Sequence, residues 1–529
     1  MSWHSVFRTS LLLTRVLARR HPGERLMASR VAVRSAGRGE ARRPASTDLW
    51  SVPGRTPSGG WGVARSHARA SYGDLGADIE ANGVPLVRTR GRIQVIFLLL
   101  LCLLLSAPAS TAEDVFEATL GNGLKVLLLE DHRSPVVTFQ VWYRVGSRNE
   151  QLGKTGLSHL LEHMMFKGTP TYGPKVYSTL IERNGGNDNA FTGQDYTGYY
   201  VNIVSDKLDI VLSLEADRMQ NLSLDPKEFE SERQVVIEER RTRTDDSPVG
   251  ALVEELNALA FKAHPYGWPI IGWMEEIKRL TVEDLRQYYR TYYAPQNAVV
   301  VAVGDFKAPD LLKKIEATFG KIPRGPDPPQ VRSVEPEQHG ERRLILKKEA
   351  QLPFVFFGYL APNYRSPDSY ALDLLSTLLS EGRTSRLYRR LVYEQQIALD
   401  AGGDYTRLSA DPELFTFYAQ VMPEKSVEEV ERALLSEVER LKTELVGEQE
   451  MTRAKNQLEA AFLFQQDSVF RRARVLAVNE LAGGWRLRDA YLPGIRAVTR
   501  EDVMRVAQTY FTTDRRNVAI LVPIKREAR

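Results

Sequence analysis

Ile277-Lys-Arg-Leu-Thr-Val-Glu-Asp-Leu285, followed by Tyr292-Tyr293 and Asn297-Ala-Val299, returns later as Ile495-Arg-Ala-Val-Thr-Arg-Glu-Asp-Val503, followed by Tyr510-Phe511 and Asn517-Val518. Ile277 thus corresponds to Ile495, and Asn297 to Asn517. A period that long, roughly 220 residues, marks a duplicated domain and not a solenoid repeat. The length agrees, because 529 residues exceed what one hydrophobic core usually organises. Between the copies Pro323, Pro326, Pro328 and Pro329 mark a linker in which neither helix nor sheet continues. The expected halves are therefore residues 113–322 and 341–529, joined by a Pro-rich linker over 323–340.

Inside the first half the pattern becomes regular at Phe116. A strand, the turn Gly121-Asn122-Gly123 and a second strand over Leu124 to Leu129 read as a hairpin. Val136 to Val145 reads as a third strand and Asn297 to Val303 as a later one. Helical spacing appears at Leu157 to Phe166, Val176 to Arg183 and Leu208 to Met219. Asp225, with Pro226 behind it and Glu228 three residues on, opens a helix that runs to about Arg241. Phe229, Glu232, Val236 and Glu239 then share one face of it. Two homologous α/β-sandwich halves of the α+β class are predicted.

Charge is divided unevenly. Positions 1–112 hold 16 Arg, no Lys and 6 acidic side chains, a balance of 16 − 6 = +10 against +4 for the whole chain. The remainder carries about −6, which gives no reason to expect a nucleic-acid partner. The single cysteine, Cys102, lies in the apolar run Val95 to Leu105, which is short for a bilayer span. Arg88, Arg90 and Arg92 precede the run, and Ser110-Thr111-Ala112 supplies small residues before Glu113. These are the parts of a secretory signal, with its apolar and cleavage regions over 93–112. A secreted or periplasmic protein is expected, or a membrane-anchored one if the signal stays uncleaved. Residues 1–92, rich in Arg, Ser, Gly and Pro, are read as a disordered or untranslated leader.

The chemistry lies in Gly156-Leu-Ser-His159-Leu-Leu-Glu162-His163-Met-Met-Phe166. Two imidazoles at i and i+4 face the same way and reach one zinc ion, an inverzincin arrangement. Glu162 stands where a carboxylate takes the proton of a water that the metal acidifies. Two histidines do not complete a catalytic zinc site, which needs a third ligand. An accidental surface cluster is the competing reading.

Gly156 to Thr169, followed by Asn189-Ala190-Phe191-Thr192, resembles the insulinase and pitrilysin family, which includes mitochondrial processing peptidases and related bacterial proteins. The resemblance spans about residues 115–522 and implies a clamshell-type peptidase. It implies Glu239, at the end of Glu232-Arg-Gln-Val-Val-Ile-Glu-Glu239, as the third zinc ligand, and Glu232 as a supporting carboxylate. It also implies that the strand carrying Asn189 and Ala190 pairs with a peptide substrate. The second half has roughly Asp368 to Leu379 where the first has its histidine helix, and is expected to be catalytically silent. His132, His264 and His339 are not expected as ligands.

One departure bears on partners. Self-sufficient relatives carry an Arg and, seven residues later, a Tyr in the second half, and the matching positions here are Val392 and Leu399. Neither side chain donates a hydrogen bond. A heterodimer with a homologous zinc-less subunit, or otherwise a homodimer, is the implied assembly. The expected function is a zinc metalloendopeptidase acting on short or unfolded peptides. The alternatives are a structural or assembly subunit of the same fold and a zinc-binding protein without catalysis, against which Glu162 argues.

Overall fold

A computed structural model describes residues 115–524. The expectations for the leader, for the signal region with Cys102, and for Glu113 as the first mature residue lie outside the described residues. Among the described residues no helix is long and apolar enough to cross a membrane.

The first half is one six-stranded sheet. Its strands are β1 (Phe116–Thr119), β2 (Lys125–Glu130), β3 (Val136–Tyr143), β4 (Asn187–Thr192), β5 (Thr197–Val204) and β6 (Ala298–Gly304). Their order is β1-β2-β6-β3-β5-β4, with β6 parallel to β2 and antiparallel to β3. The expected hairpin is present, with Thr119 opposite Lys125, and Gly123 takes φ +92° in its turn. Residues 323–339 carry neither helix nor strand. The second half repeats the plan with β7 (Arg342–Glu349), β8 (Phe354–Ala361), β9 (Ala398–Asp404), β10 (Glu413–Val421) and β11 (Arg516–Ile524), in the order β7-β11-β8-β10-β9. β11 is parallel to β7 and antiparallel to β8, as β6 is to its own neighbours.

The duplication extends to the helix caps. Helix Val282–Tyr292 opens with Thr281, whose hydroxyl accepts from Asp284 N while the Asp284 carboxylate accepts from Thr281 N. Helix Arg500–Tyr510 opens with the same exchange between Thr499 and Asp502. A cap of this kind stabilises a helix start by about 1 kcal/mol and fixes where it begins.

The central strands of each sheet are buried on both faces. Along β2 and β6, Val126, Leu128, Val300 and Ala302 face the first half's own helices. Their neighbours Leu127, Leu129, Val299, Val301 and Val303 face Ala473, Leu476 and Ala477 of helix Val469–Ala482, which belongs to the second half. The reverse also holds. Leu252 and Leu256 of helix Pro248–Ala260, from the first half, cover Phe354, Phe356, Ala519 and Leu521 of the second sheet. Each half thus lends one helix to the other's sheet. Buried ion pairing reinforces the exchange, since Arg472 on the lent helix contacts Asp131 at the end of β2.

Candidate metal centre

Helix Leu157–Met164 is set by its apolar face, with Leu157, Leu160, Leu161 and Met164 in the first core. Its N-cap is Gly156 at φ +91°, where no side chain of its own caps the helix. Glu150 takes over from upstream, its two carboxylate oxygens accepting from Gly156 N at 2.8 Å and Ser158 N at 2.7 Å. Gly156 also lies against Gly272, so closely that a Cβ on Gly272 would meet Gly156 N at 2.6 Å. The start of the histidine helix is therefore fixed from two sides.

Helix Pro226–Arg240 runs alongside. Asp225 caps it, accepting from Lys227 N at 2.8 Å and Glu228 N at 3.2 Å, with Pro226 at its first position. The spacing from 232 to 239 is two turns, so both glutamates meet the histidine helix. Glu238 does not: its side chain is 65% exposed and pairs with Arg241. Arg240, buried, donates to Gly272 O at 2.7 Å and to both Glu254 oxygens at 2.8 and 2.9 Å. Through Gly272 this second helix is tied to the start of the first.

His159, His163 and Glu239 come together, with one donor atom from each lying within 4.8 Å of the others. His163 Nε2 is 3.3 Å and His159 Nε2 is 3.7 Å from Glu239 Oε2. Two ligands each about 2.0–2.1 Å from a tetrahedral zinc stand roughly 3.3 Å apart, so the His163 and Glu239 pair stands at that ion's spacing and the His159 and Glu239 pair slightly beyond it. The donor set, two imidazoles and one carboxylate, fits it as well. Glu232 Oε1 lies 2.9 Å from His163 Nδ1, which turns the other ring nitrogen toward Glu239. His159 Nδ1 is buried without a hydrogen-bond partner.

The charges around the centre pull in opposite directions. Burial lowers the His159 imidazole to about 4, helped by the neighbouring His163. Burial opposes protonation of His163 too, but the carboxylates of Glu232 and Glu239 outweigh it and raise that ring to about 9. Burial also works against ionisation of Glu239, yet His163, His159 and Arg243 outweigh it and hold that carboxyl down to about 2. For Glu162 burial dominates and moves the carboxyl above its usual range, against the hydrogen bond from Thr192. A carboxylate raised in this way is a better proton acceptor than a solvated one.

Asn189 and Ala190 lie on β4, the edge strand of the first sheet, paired on one side only, with β5. Asn189 is exposed and Ala190 half-buried against the first core. Three neighbours of the centre are not among the residues that sequence reasoning selects. Thr192 donates to Glu162 Oε2, Lys167 pairs with Glu232, and Arg243 pairs with Glu239 at 2.5 Å. Arg243 follows Glu239 by four positions, a helical signal the sequence does contain, whereas Lys167 lies beyond the end of the histidine helix and reaches Glu232 from a distant part of the chain. Arg243 sits in a wide π-helical turn, Arg241–Asp245, of the kind often found beside functional residues.

Elsewhere the expected non-ligands stay apart. His132 lies between Asp305 and Glu130, and His264 contacts Asp411 of the second half at 3.1 Å. Helix Asp368–Ser380, the second half's counterpart of the histidine helix, brings no metal-capable cluster, and among the described residues His159, His163 and Glu239 are the only such group. Val392 packs against the second core and Leu399 is half-buried on β9. Of the nearby donors, Arg386 is engaged by Glu450 at 2.7 Å, Tyr405 donates to Pro362 O, and Tyr393 is 75% exposed.

Residues 125–272 match the family described as Insulinase (Peptidase family M16), and residues 279–458 match the Peptidase M16 inactive domain. The chain is similar to the zinc protease PqqE of Helicobacter pylori, at 33% identity over 415 residues, 77% of this chain and 92% of that protein. It is also similar to the crystal structure of a protease from Helicobacter pylori, at 32% identity and a TM-score of 0.76, over 78% of this chain and 100% of that one. It shares a fold with the periplasmic protease PqqL from Escherichia coli, at 18% identity and a TM-score of 0.64, over 79% of this chain and 48% of that one. The architecture of two homologous halves is the clamshell-type peptidase fold.

Proposed function

The chain belongs to the insulinase family, peptidase family M16, and from that premise we propose that it is a zinc-dependent endopeptidase hydrolysing short or unfolded peptides. The observation that carries this is the donor set of His159, His163 and Glu239, with one donor atom from each within 4.8 Å of the others, and the Glu162 carboxylate one turn along the same helix from His159. A storage or structural site would not need Glu162, and an assembly subunit would not need the donor set.

When bound, zinc supplies a Lewis acid that acidifies water and polarises the peptide carbonyl. His159, His163 and Glu239 hold it. Glu232 fixes the His163 ring, and Lys167 neutralises Glu232 in turn. Glu162 accepts the proton that the attacking water gives up and delivers it to the departing amine nitrogen. The outer edge of β4, at Asn189 and Ala190, aligns the peptide by adding it to the sheet as another strand.

The second half contributes packing and not catalysis. Because Val392 and Leu399 donate no hydrogen bonds, the missing polar pair comes from a second, homologous subunit without its own metal set, making the working enzyme a heterodimer. Its place of work is the periplasm or the exterior, reached by the signal over 93–112.

The test is to purify the chain with whatever binds it, measure zinc per chain, and profile cleavage of a mixed peptide library with and without the partner. Zinc binding with partner-dependent cleavage is expected. Full cleavage by the homogeneous chain would remove the heterodimer and leave the peptidase. Absence of cleavage by the zinc-loaded complex would remove the peptidase.

A further inference from the structure

Thr192 is the last residue of β4, and its hydroxyl donates to Oε2 of Glu162. The contact follows from strand geometry. Side chains alternate along β4, so Ala190 and Thr192 face the histidine helix while Phe191 faces the other way. Phe191 is anchored there, with its ring 4.9 Å from that of Trp142 and the Arg474 guanidinium 4.9 Å from its centroid. On the other side Thr192 lies opposite Thr197, whose hydroxyl donates to Val145 O at 2.9 Å. Directly after it the chain turns, with Gly193 N donating to Tyr196 O at 2.8 Å. The backbone at Thr192 is held in place from three directions. As a β-branched residue it has few χ1 options, so a fixed backbone also fixes the hydroxyl.

We propose that Thr192 is the positioning residue of the general base. Its hydroxyl occupies Oε2 of Glu162 and so reserves Oε1 for the proton of the attacking water. Two residues before it on the same face stands Ala190, at the strand edge assigned to the peptide. The segment that aligns the substrate is thus also the segment that orients the base, and the two functions share one rigid strand. This rests on Glu162 being the base.

The test compares Thr192→Val, which keeps the shape and removes the donor, with Thr192→Ser, which keeps the donor and removes the methyl. Both are made in the full zinc-loaded chain with its co-purified partner, beside Glu162→Gln. Bound zinc, kcat and KM on a fluorogenic peptide are measured, and the zinc-loaded wild type is crystallised. Thr192→Val is expected to keep its zinc and its KM and to lose roughly tenfold in kcat, the scale of one hydrogen bond to a charged group. Thr192→Ser is expected to retain most of kcat, and the crystal to show Thr192 Oγ1 within hydrogen-bond distance of Glu162. The proposal is overturned if Thr192→Val turns over like wild type, if it loses zinc or only KM, if Ser is as poor as Val, or if the crystal shows the two groups apart. An active, zinc-loaded Glu162→Gln would overturn the base itself. An inactive one beside a fully active Thr192→Val would overturn only the role of Thr192.

Discussion

His163 Nδ1 and Glu232 Oε1 lie 2.9 Å apart, on the side of the ring away from Glu239. The contact fixes the tautomer that leaves Nε2 for a metal, and Lys167 holds the carboxylate that makes it. Glu232→Gln should therefore weaken zinc roughly 10–100-fold without removing any ligand, the usual cost of losing such a partner. Competition against a chromogenic chelator measures it, and unchanged affinity would show the contact to be incidental.

Glu239→Gln replaces the carboxylate of the proposed third ligand by a neutral amide and should lower zinc affinity further still. Its neighbour Glu238 points into solvent and pairs with Arg241, so Glu238→Gln should leave zinc content unchanged. An exchange of behaviours between the two variants would put the ligand one position earlier in the helix.

Glu162→Gln leaves the three donors in place and removes only the proposed proton acceptor. Zinc should stay bound at wild-type stoichiometry while peptide cleavage falls at least roughly 10²-fold. Turnover at the wild-type rate by the metal-loaded variant would take Glu162 out of the mechanism.

The two imidazoles give the metal-free protein a defined pH response. His159 is lowered to about 4 from its ordinary 6.5, so its contribution to stability is present above 6.5 and lost as pH falls toward 4. His163 is raised to about 9, so its contribution is present below 6.5 and lost as pH rises through 9. As far as these two groups decide it, the chelator-treated protein is most stable near pH 6.5, which melting curves across pH 4–9 will show. Zinc displaces the His163 proton, so affinity should rise with pH up to about 9 and binding should release protons into the buffer. Calorimetry in buffers of different ionisation enthalpy detects that release.

Asp131 and Arg472 join the halves, with side chains only 4% and 8% exposed. Asp131 is held at about 2 by Arg133 foremost, against its burial. Asp131→Ala should cost about 3–5 kcal/mol, the cost of leaving a buried cation short of its partner. Chemical denaturation measures it, and a loss below about 1 kcal/mol would mark the pair as solvent-compensated.

The histidine helix, the Asp225 cap and the duplicated Thr-x-x-Asp caps are legible because each depends on residues within one or two turns. The Glu232 and Glu239 face is legible for the same reason. The sheet orders are not, since β2 and β6 lie near opposite ends of the first half and nothing local at Lys125 names Val299 as its partner. Nor does the spacing of Leu252 and Leu256 say which sheet they cover; it announces an apolar face and nothing about its destination. The buried Glu215 and Arg218 pair, with Arg218 over the rings of Phe166, Tyr177 and Tyr199, breaks the apolar stripe of its helix and is invisible to periodicity.

The lent helices set the order in which the molecule can be made. The first sheet is complete in sequence once β6 has left the ribosome at Gly304, yet the residues that cover its second face, Ala473 to Val478, belong to a helix that begins only at Val469. At about 5–20 residues per second that is roughly ten seconds or more during which Leu127, Leu129, Val299, Val301 and Val303 stand uncovered. An apolar sheet face left uncovered for that long would favour aggregation of the nascent first half. Cutting the chain at the Pro-rich linker would make that interval permanent for both pieces.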